Sequence, residues 1–262
     1  MARKNTPPLR LLLMEGQRAA LEGLSVPPAS LLLARAPRGD GMPVLVLPGF
    51  MASDTSTRVL RRYLMRQDYS AHAWRLGRNV GPRDGVEEKM LERVETLSER
   101  FGAPVSIIGW SLGGIYAREL AKKLPHRVKQ VITLGSPFAD ISRGSHAKPF
   151  FDLLAQRGER RRSRTGQAAN PPRARRRPED IAVPPDVPST AIFTKTDGVV
   201  HWENCLEPDA PHTENIEISG SHCGLGMNPT VLYAIAERLS QPAGNWRPFE
   251  VRGWRRLLYR TH

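Results

Sequence analysis

The run Gly109-Trp110-Ser111-Leu112-Gly113 sets one serine between two glycines, and Gly114 follows. Before it stands a short β-branched stretch, Val105-Ser106-Ile107-Ile108. After it a helical pattern begins at Leu112. That context predicts a sharp strand-to-helix turn with Ser111 at its tip, its hydroxyl raised above the strand end and a helix N-terminus behind it. Side chains at the flanking positions would collide in so tight a turn, which is why glycine is needed on both sides. A serine held this way can attack an acyl carbon. A hydroxyl is a weak nucleophile at neutral pH, however. It needs a base to take its proton and a third group to orient that base.

The partners of such a serine are expected in the order acid, then histidine. Asp197 lies in Lys195-Thr196-Asp197-Gly198-Val199-Val200, just past the strand-like Thr190–Thr194. His222 lies in Gly220-Ser221-His222-Cys223-Gly224-Leu225, just past Glu214–Ile218. Both positions fall at the carboxyl end of a strand, where α/β sheets place their sites. Asp186 precedes its strand, and Glu203 and Asp209 lie further from a strand end, so they are weaker candidates for the acid. His212 also precedes a strand. His201 shares the loop of the acid, where it could line a pocket, and His72, His126 and His146 read as surface or packing residues.

Charge developing on an attacked carbonyl oxygen calls for backbone donors. The N–H of Leu112, next to the nucleophile, is one. The second is expected from Pro48-Gly49-Phe50-Met51, which follows the apolar run Val44–Leu47: the Phe50 N–H first, Met51 as the alternative. The side chains of Phe50, Met51 and Trp110, with Phe138, read as apolar walls of a substrate pocket, and plain core packing is the competing role.

The elements that must position these residues alternate along the chain. Strand signals at 44–47, 71–74, 105–108, 128–134, 190–194 and 214–218 are interleaved with helical periodicity at 55–67, 86–101, 112–124 and 229–239. Short β-branched strands of this kind suit a mostly parallel sheet covered by helices on both faces. Residues 1–42 read as an N-terminal part: an amphipathic helix over 9–22 with Leu9, Leu12, Leu13, Ala20 and Leu21 on its apolar side, then a Pro/Gly-rich linker with room for one short strand. Residues 43–240 form the α/β domain. The rhythm breaks at 138–187, where a short helical candidate at 148–156 precedes an Arg- and Pro-rich stretch. A connection of that length is usually a lid or a flexible insert. Residues 241–262 read as a basic tail.

The net charge of +13 is local. Residues 157–178 hold nine Arg and one Glu, and residues 242–262 five Arg and one Glu, so the rest of the chain is near +1. Such blocks can meet anionic membrane, the alternative being a solvated insert. Nucleic acid is not the expected partner, because the block has no interleaved aromatics. No apolar run reaches the roughly 18 residues of a membrane span, and no signal peptide is read, so a cytoplasmic address, with possible peripheral attachment to membrane, is the expectation. Cys205 and Cys223 are expected as free thiols, with one bridge as the alternative, and no metal spacing occurs.

Taken together, Leu47-Pro48-Gly49-Phe50, Gly109-Trp110-Ser111-Leu112-Gly113-Gly114, Gly135-Ser136-Pro137-Phe138, Thr196-Asp197-Gly198-Val199-Val200 and Ser221-His222-Cys223-Gly224-Leu225 resemble the lipase and esterase branch of the α/β-hydrolase superfamily over residues 43–240. The resemblance implies an α/β-hydrolase fold with a lid in the place of 138–187. It also implies ester hydrolysis through an acyl-enzyme on a Ser111–Asp197–His222 triad, with no metal or organic cofactor and an acyl-ester or lipid substrate. The Arg-rich insert and the missing secretory signal depart from extracellular lipases and weigh against bulk triglyceride. An acyltransferase on the same triad, or a non-catalytic membrane-binding scaffold, are the other readings.

Overall fold

The computed structural model describes residues 6–139 and 178–262. Seven strands form one sheet: β1 Pro43–Leu47, β2 Ser70–Ala73, β3 Val105–Trp110, β4 Val128–Leu134, β5 Ser189–Phe193, β6 Thr213–Ile218 and β7 Tyr259–Thr261. Their order is β2-β1-β3-β4-β5-β6-β7. Strands β1 to β6 run parallel, and β7 is antiparallel to β6. The helices are α1 Leu9–Ser25, α2 Ser30–Ala34, α3 Arg58–Arg66, α4 Val86–Phe101, α5 Leu112–Lys123, α6 Pro178–Ala182 and α7 Pro229–Leu239.

Every residue of β1, β3 and β5 is buried, as two-sided coverage requires. Alternate residues serve opposite faces. Leu45, Leu47 and Ile107 pack with Met90, Val94 and Leu97 of α4 and with Ala117 and Leu120 of α5. Val44, Val46 and Ile108 pack with Leu60 and Leu64 of α3 and with α7. The chain enters the sheet at β1, moves out to the edge strand β2, and returns to β3 on the other side of β1. The crevice between the carboxyl ends of β1 and β3 is therefore a topological switch point, the place where open α/β sheets bind ligands.

Three expectations are corrected. The linker after α1 contains a helix, α2, where a strand had room to form. Its Leu-rich run lacks the β-branched residues that favour a strand. The stretch expected as a basic tail completes the sheet: Tyr259, 2% exposed, packs on Phe249 and its hydroxyl donates to the Thr230 carbonyl. The third correction concerns α1. Most of its leucines face outward, with Leu9, Leu13 and Leu21 at 61%, 74% and 67% exposure and Leu11 and Leu12 half-buried, while Glu15 is buried at 4%. The polar side of this helix is the docked one. The helical candidate at 148–156, the Arg-rich residues 157–177 and His146 lie outside the described residues. Where the chain re-enters, buried Arg118 of α5 pairs with Glu207 and donates to the carbonyls of Ala182 and Val183, which ties α6 and the approach to β5 onto α5.

Candidate active site

Ser111 sits between β3 and α5 at φ 52°, ψ −119°, a backbone conformation that L side chains rarely adopt. Strain of this kind, about 1–3 kcal/mol, persists only where the surroundings over-determine it. Here they do: the Ser111 N–H donates to the Leu134 carbonyl of β4 at 2.8 Å. A Cβ on Gly113 would stand 2.5 Å from the Leu47 carbonyl oxygen and 2.8 Å from that of Pro48, so glycine alone lets the turn nest against the end of β1. Leu112 opens α5, and its amide belongs to the first turn, whose N–H groups have no partner within the helix.

The loop after β1 crosses directly over this turn. A Cβ on Gly49 would be 3.3 Å from Ser111 Cβ and 3.3 Å from the Trp110 carbonyl oxygen. The loop is held by Asn79, which is 1% exposed. Asn79 Nδ2 donates to the Pro48 carbonyl at 2.8 Å, and the Asn79 carbonyl accepts from the Met51 N–H at 2.7 Å. The Met51 amide is thus engaged by Asn79. The Met51 side chain is 38% exposed, on the rim. Phe50 packs against the cluster of Leu112, Ile115 and Phe138.

Asp197 and His222 meet. His222 Nδ1 lies 2.6 Å from Asp197 Oδ2, with both residues buried at 6% and 4% exposure. Asp197 Oδ1 accepts from the N–H groups of Val199 and Val200 at 2.8 and 2.7 Å, so the carboxylate is fixed from its own loop. An Nδ1–H pointing at a carboxylate leaves Nε2 as the basic nitrogen of the ring. Burial by itself disfavours the imidazolium of His222. The Asp197 carboxylate, its hydrogen bond, and the carboxylate of Glu15 outweigh burial and raise the pKa above the ordinary value for histidine.

The serine and the histidine–aspartate pair are joined through the strand between them. Ser111 donates to Leu134, and Gly135, the next residue, is so placed that a Cβ there would lie 3.1 Å from His222 Nδ1 and 3.3 Å from Asp197 Oδ2. A second link is the Trp110 indole N–H, which donates to the His222 carbonyl at 3.0 Å. Among the described residues, no hydrogen bond joins Ser111 Oγ to the His222 ring. In free enzymes such contacts are often long and tighten when substrate binds.

Two expected pocket walls have other duties here. Trp110, 7% exposed, packs in the core and over Gly226 while its N–H holds the histidine loop. Phe138 is fully buried, with the Arg118 guanidinium 3.8 Å from its ring centre. The competing acids Asp186, Glu203 and Asp209 are exposed. His72 bonds to Ser70 on β2 and His212 to the Pro185 carbonyl, while His126 is exposed. His201 stacks on Trp202, 3.7 Å from Glu203.

Sequence reasoning missed the residues that hold this site from outside it. Asn79 is one. Glu15, Arg18 and Glu22 of α1 are others: their spacing of three and four residues puts them on one helix face, and that spacing is the signal that marks them. Both cysteines are free. Cys223 is exposed by surface area. Even so, partial desolvation of its thiol, with Glu15, Asp197 and Glu22 nearby, pushes it up to about 12, where it is no nucleophile at neutral pH.

A family model described as "Alpha/beta hydrolase family" matches residues 44–261. The chain belongs to the α/β-hydrolase family. A search of curated proteins found no match to the sequence. Among solved structures, this α/β hydrolase is similar to lipase B of Aspergillus fumigatus, with 17% identity and a TM-score of 0.57. That likeness covers 79% of this chain but only 55% of the lipase. It is also similar to a pyrethroid hydrolase from Sphingobium faniae JZ-2, at 17% identity and a TM-score of 0.53, covering 77% of this chain and 98% of that one. At these identities the likeness concerns the fold. Within that fold no helix among the described residues is long and apolar enough to cross a membrane.

Proposed function

We propose that this α/β hydrolase is a serine hydrolase of carboxylic esters, working through an acyl-enzyme. His222 Nε2 takes the Ser111 proton as Oγ attacks the ester carbonyl carbon. The N–H groups of Leu112 and Phe50 hold the oxyanion. His222 then protonates the leaving alcohol, and afterwards takes a proton from the water that attacks the acyl-enzyme. Asp197 keeps the ring in the tautomer this requires.

The observation that carries the reading is the 2.6 Å contact between buried His222 and Asp197 on the same rim as a serine held at positive φ. Neither feature serves an ordinary turn. Apolar surroundings at Phe50, Ile115 and Leu112 suit an acyl chain. Substrates are then small or lipid-like acyl esters. The Arg-rich segments would bring the enzyme to anionic membrane surfaces, with no nucleic-acid role. Ser111→Ala is the test. It abolishes turnover of a p-nitrophenyl acyl ester and labelling by a fluorophosphonate probe, and wild-type activity in that variant would dismiss the assignment.

A further inference from the structure

Helix α1 precedes the matched family region, which starts at residue 44. Its inner face ends on the two loops that carry Asp197 and His222. Glu15 Oε1 accepts from the N–H of Gly198 at 2.8 Å and from the N–H of His222 itself at 3.1 Å. Glu15 Oε2 accepts from the N–H of Cys223 at 2.8 Å. One turn on, Arg18 donates to the Thr196 carbonyl at 2.8 Å, to Thr196 Oγ1 at 2.9 Å, and to the Gly220 carbonyl. A further turn on, Glu22 accepts from the N–H and hydroxyl of Ser221 at 2.7 and 2.6 Å and from Asn228 Nδ2 at 2.9 Å. The seating is direct: a Cβ on Gly198 would stand 2.5 Å from the carbonyl carbon of Leu11.

We infer that Glu15, supported by Arg18 and Glu22, is a positioning residue of the reaction: α1 clamps the acid loop to the histidine loop and sets a second carboxylate beside the base. The inference rests on the ester-hydrolase reading above. A helix that only had to cover a surface would dock its leucines, and α1 turns Leu9, Leu13 and Leu21 outward instead. Burying a carboxylate is costly unless it is well hydrogen-bonded. This one is bonded to the amides of the two loops that must stay in register. During attack on the ester the His222 ring becomes cationic, and Glu15 adds to Asp197 in stabilising that cation.

Among the described residues, the charged and titratable groups facing His222 are few. Asp197 comes from the loop after β5, Glu15 from α1 with Arg18 and Glu22 beside it, and Cys223 from its own loop. Asp197 and Glu15 both favour the imidazolium. Removing the charge of Glu15 therefore lowers the pKa of the base.

The experiment compares wild type, Ser111→Ala, Glu15→Gln and Glu22→Gln, each checked for folding by thermal unfolding. Glu15→Gln keeps the shape and loses the charge. Its kcat on a p-nitrophenyl acyl ester, and its rate of fluorophosphonate labelling, fall about 10–100-fold, as for small displacements of catalytic groups. KM stays near wild type, and the acid limb of kcat/KM moves to lower pH, a shift that a merely structural role would not produce. Glu22→Gln loses kcat more mildly, again at constant KM. A folded Glu15→Gln with wild-type kcat and an unmoved acid limb overturns the inference. If Glu15→Gln does not fold, wild-type kcat in Glu22→Gln overturns it instead. Activity surviving in Ser111→Ala would sink the ester-hydrolase reading itself, a separate result.

Discussion

The indole N–H of Trp110 donates to the backbone carbonyl of His222 at 3.0 Å, so the residue before Ser111 holds the loop that carries His222. The two residues are far apart in sequence, yet this bond fixes the distance between β3 and the histidine loop. Trp110→Phe keeps an aromatic ring in the core and removes the donor. The orphaned carbonyl costs about 1–3 kcal/mol of stability. For a chain of this size each kcal/mol lowers Tm by roughly 2–4 °C. Under the proposed mechanism turnover falls as well, because His222 is no longer tethered to the strand that leads into Ser111. Calorimetry and p-nitrophenyl ester kinetics check both. A lower Tm with unchanged kcat would reduce Trp110 to a packing residue.

Asp197→Asn preserves most of the hydrogen-bond geometry around the ring but can donate to Nδ1, which favours the wrong tautomer. In serine hydrolases with this kind of triad such a change costs about ten-thousand-fold in kcat, and a similar loss is expected here. The pH dependence follows with a definite sign. In the proposed mechanism neutral His222 is the base, so kcat/KM rises as pH climbs through its pKa. Burial lowers that pKa, and Asp197 and Glu15 more than reverse the effect, so the acid limb of the wild type lies above about 6.5, the ordinary histidine value. In Asp197→Asn what activity remains has its acid limb at lower pH. A wild-type limb well below about 6.5 would contradict this account of the electrostatics.

Local rules carried much of this far in the sequence. The glycine-flanked serine, the strand before it and the helix after it are all short-range signals, and the structure has the turn where they put it. Asp197 and His222 were legible for the same reason, since each follows a strand end. What sequence could not give was the work done across long separations. Asn79 holds the β1 loop from the loop that follows β2. Trp110 looked like a pocket wall because its hydrogen bond to residue 222 has no local signature. The helix α1 misled most: amphipathic periodicity states that a helix has two faces, not which one docks. Its carboxylates bond backbone amides, while Leu9, Leu13 and Leu21 stay outside.

The basic segments give a prediction of their own. Arg252 and Arg260 in the C-terminal stretch have side chains 79% and 77% exposed, whereas Arg255 is taken up by Tyr233 and Glu237. The other block, residues 157–178, carries nine Arg against one Glu. Basic residues near an anionic bilayer contribute about 1 kcal/mol each, and salt weakens them. Arg→Ser changes across 157–177 therefore reduce binding to acidic vesicles at low salt, and leave binding to neutral vesicles unchanged. Sedimentation with vesicles of both kinds reads this out. Equal binding of wild type and variant to acidic vesicles would leave the segment no role at the membrane.

Asn79 tests the oxyanion assignment without touching either donor. Its side chain donates to the Pro48 carbonyl at 2.8 Å and accepts from the Gly81 N–H at 3.2 Å, while its backbone carbonyl engages Met51. Asn79→Ala removes the side-chain bonds and keeps the backbone one, so the loop after β1 stays attached at Met51 and loosens at Pro48. Phe50 lies between those two anchors. If its N–H holds the developing oxyanion, misplacement of the loop weakens transition-state stabilisation more than ground-state binding, and kcat falls while KM changes little. Outright loss of one such donor costs roughly 100- to 1,000-fold, and a displaced donor should cost less. The expected signature is therefore a drop of about tenfold in kcat, together with a parallel loss of affinity for a trifluoromethyl ketone that forms a tetrahedral adduct with Ser111. A variant that loses stability but keeps kcat and that affinity would move the second oxyanion donor away from the β1 loop.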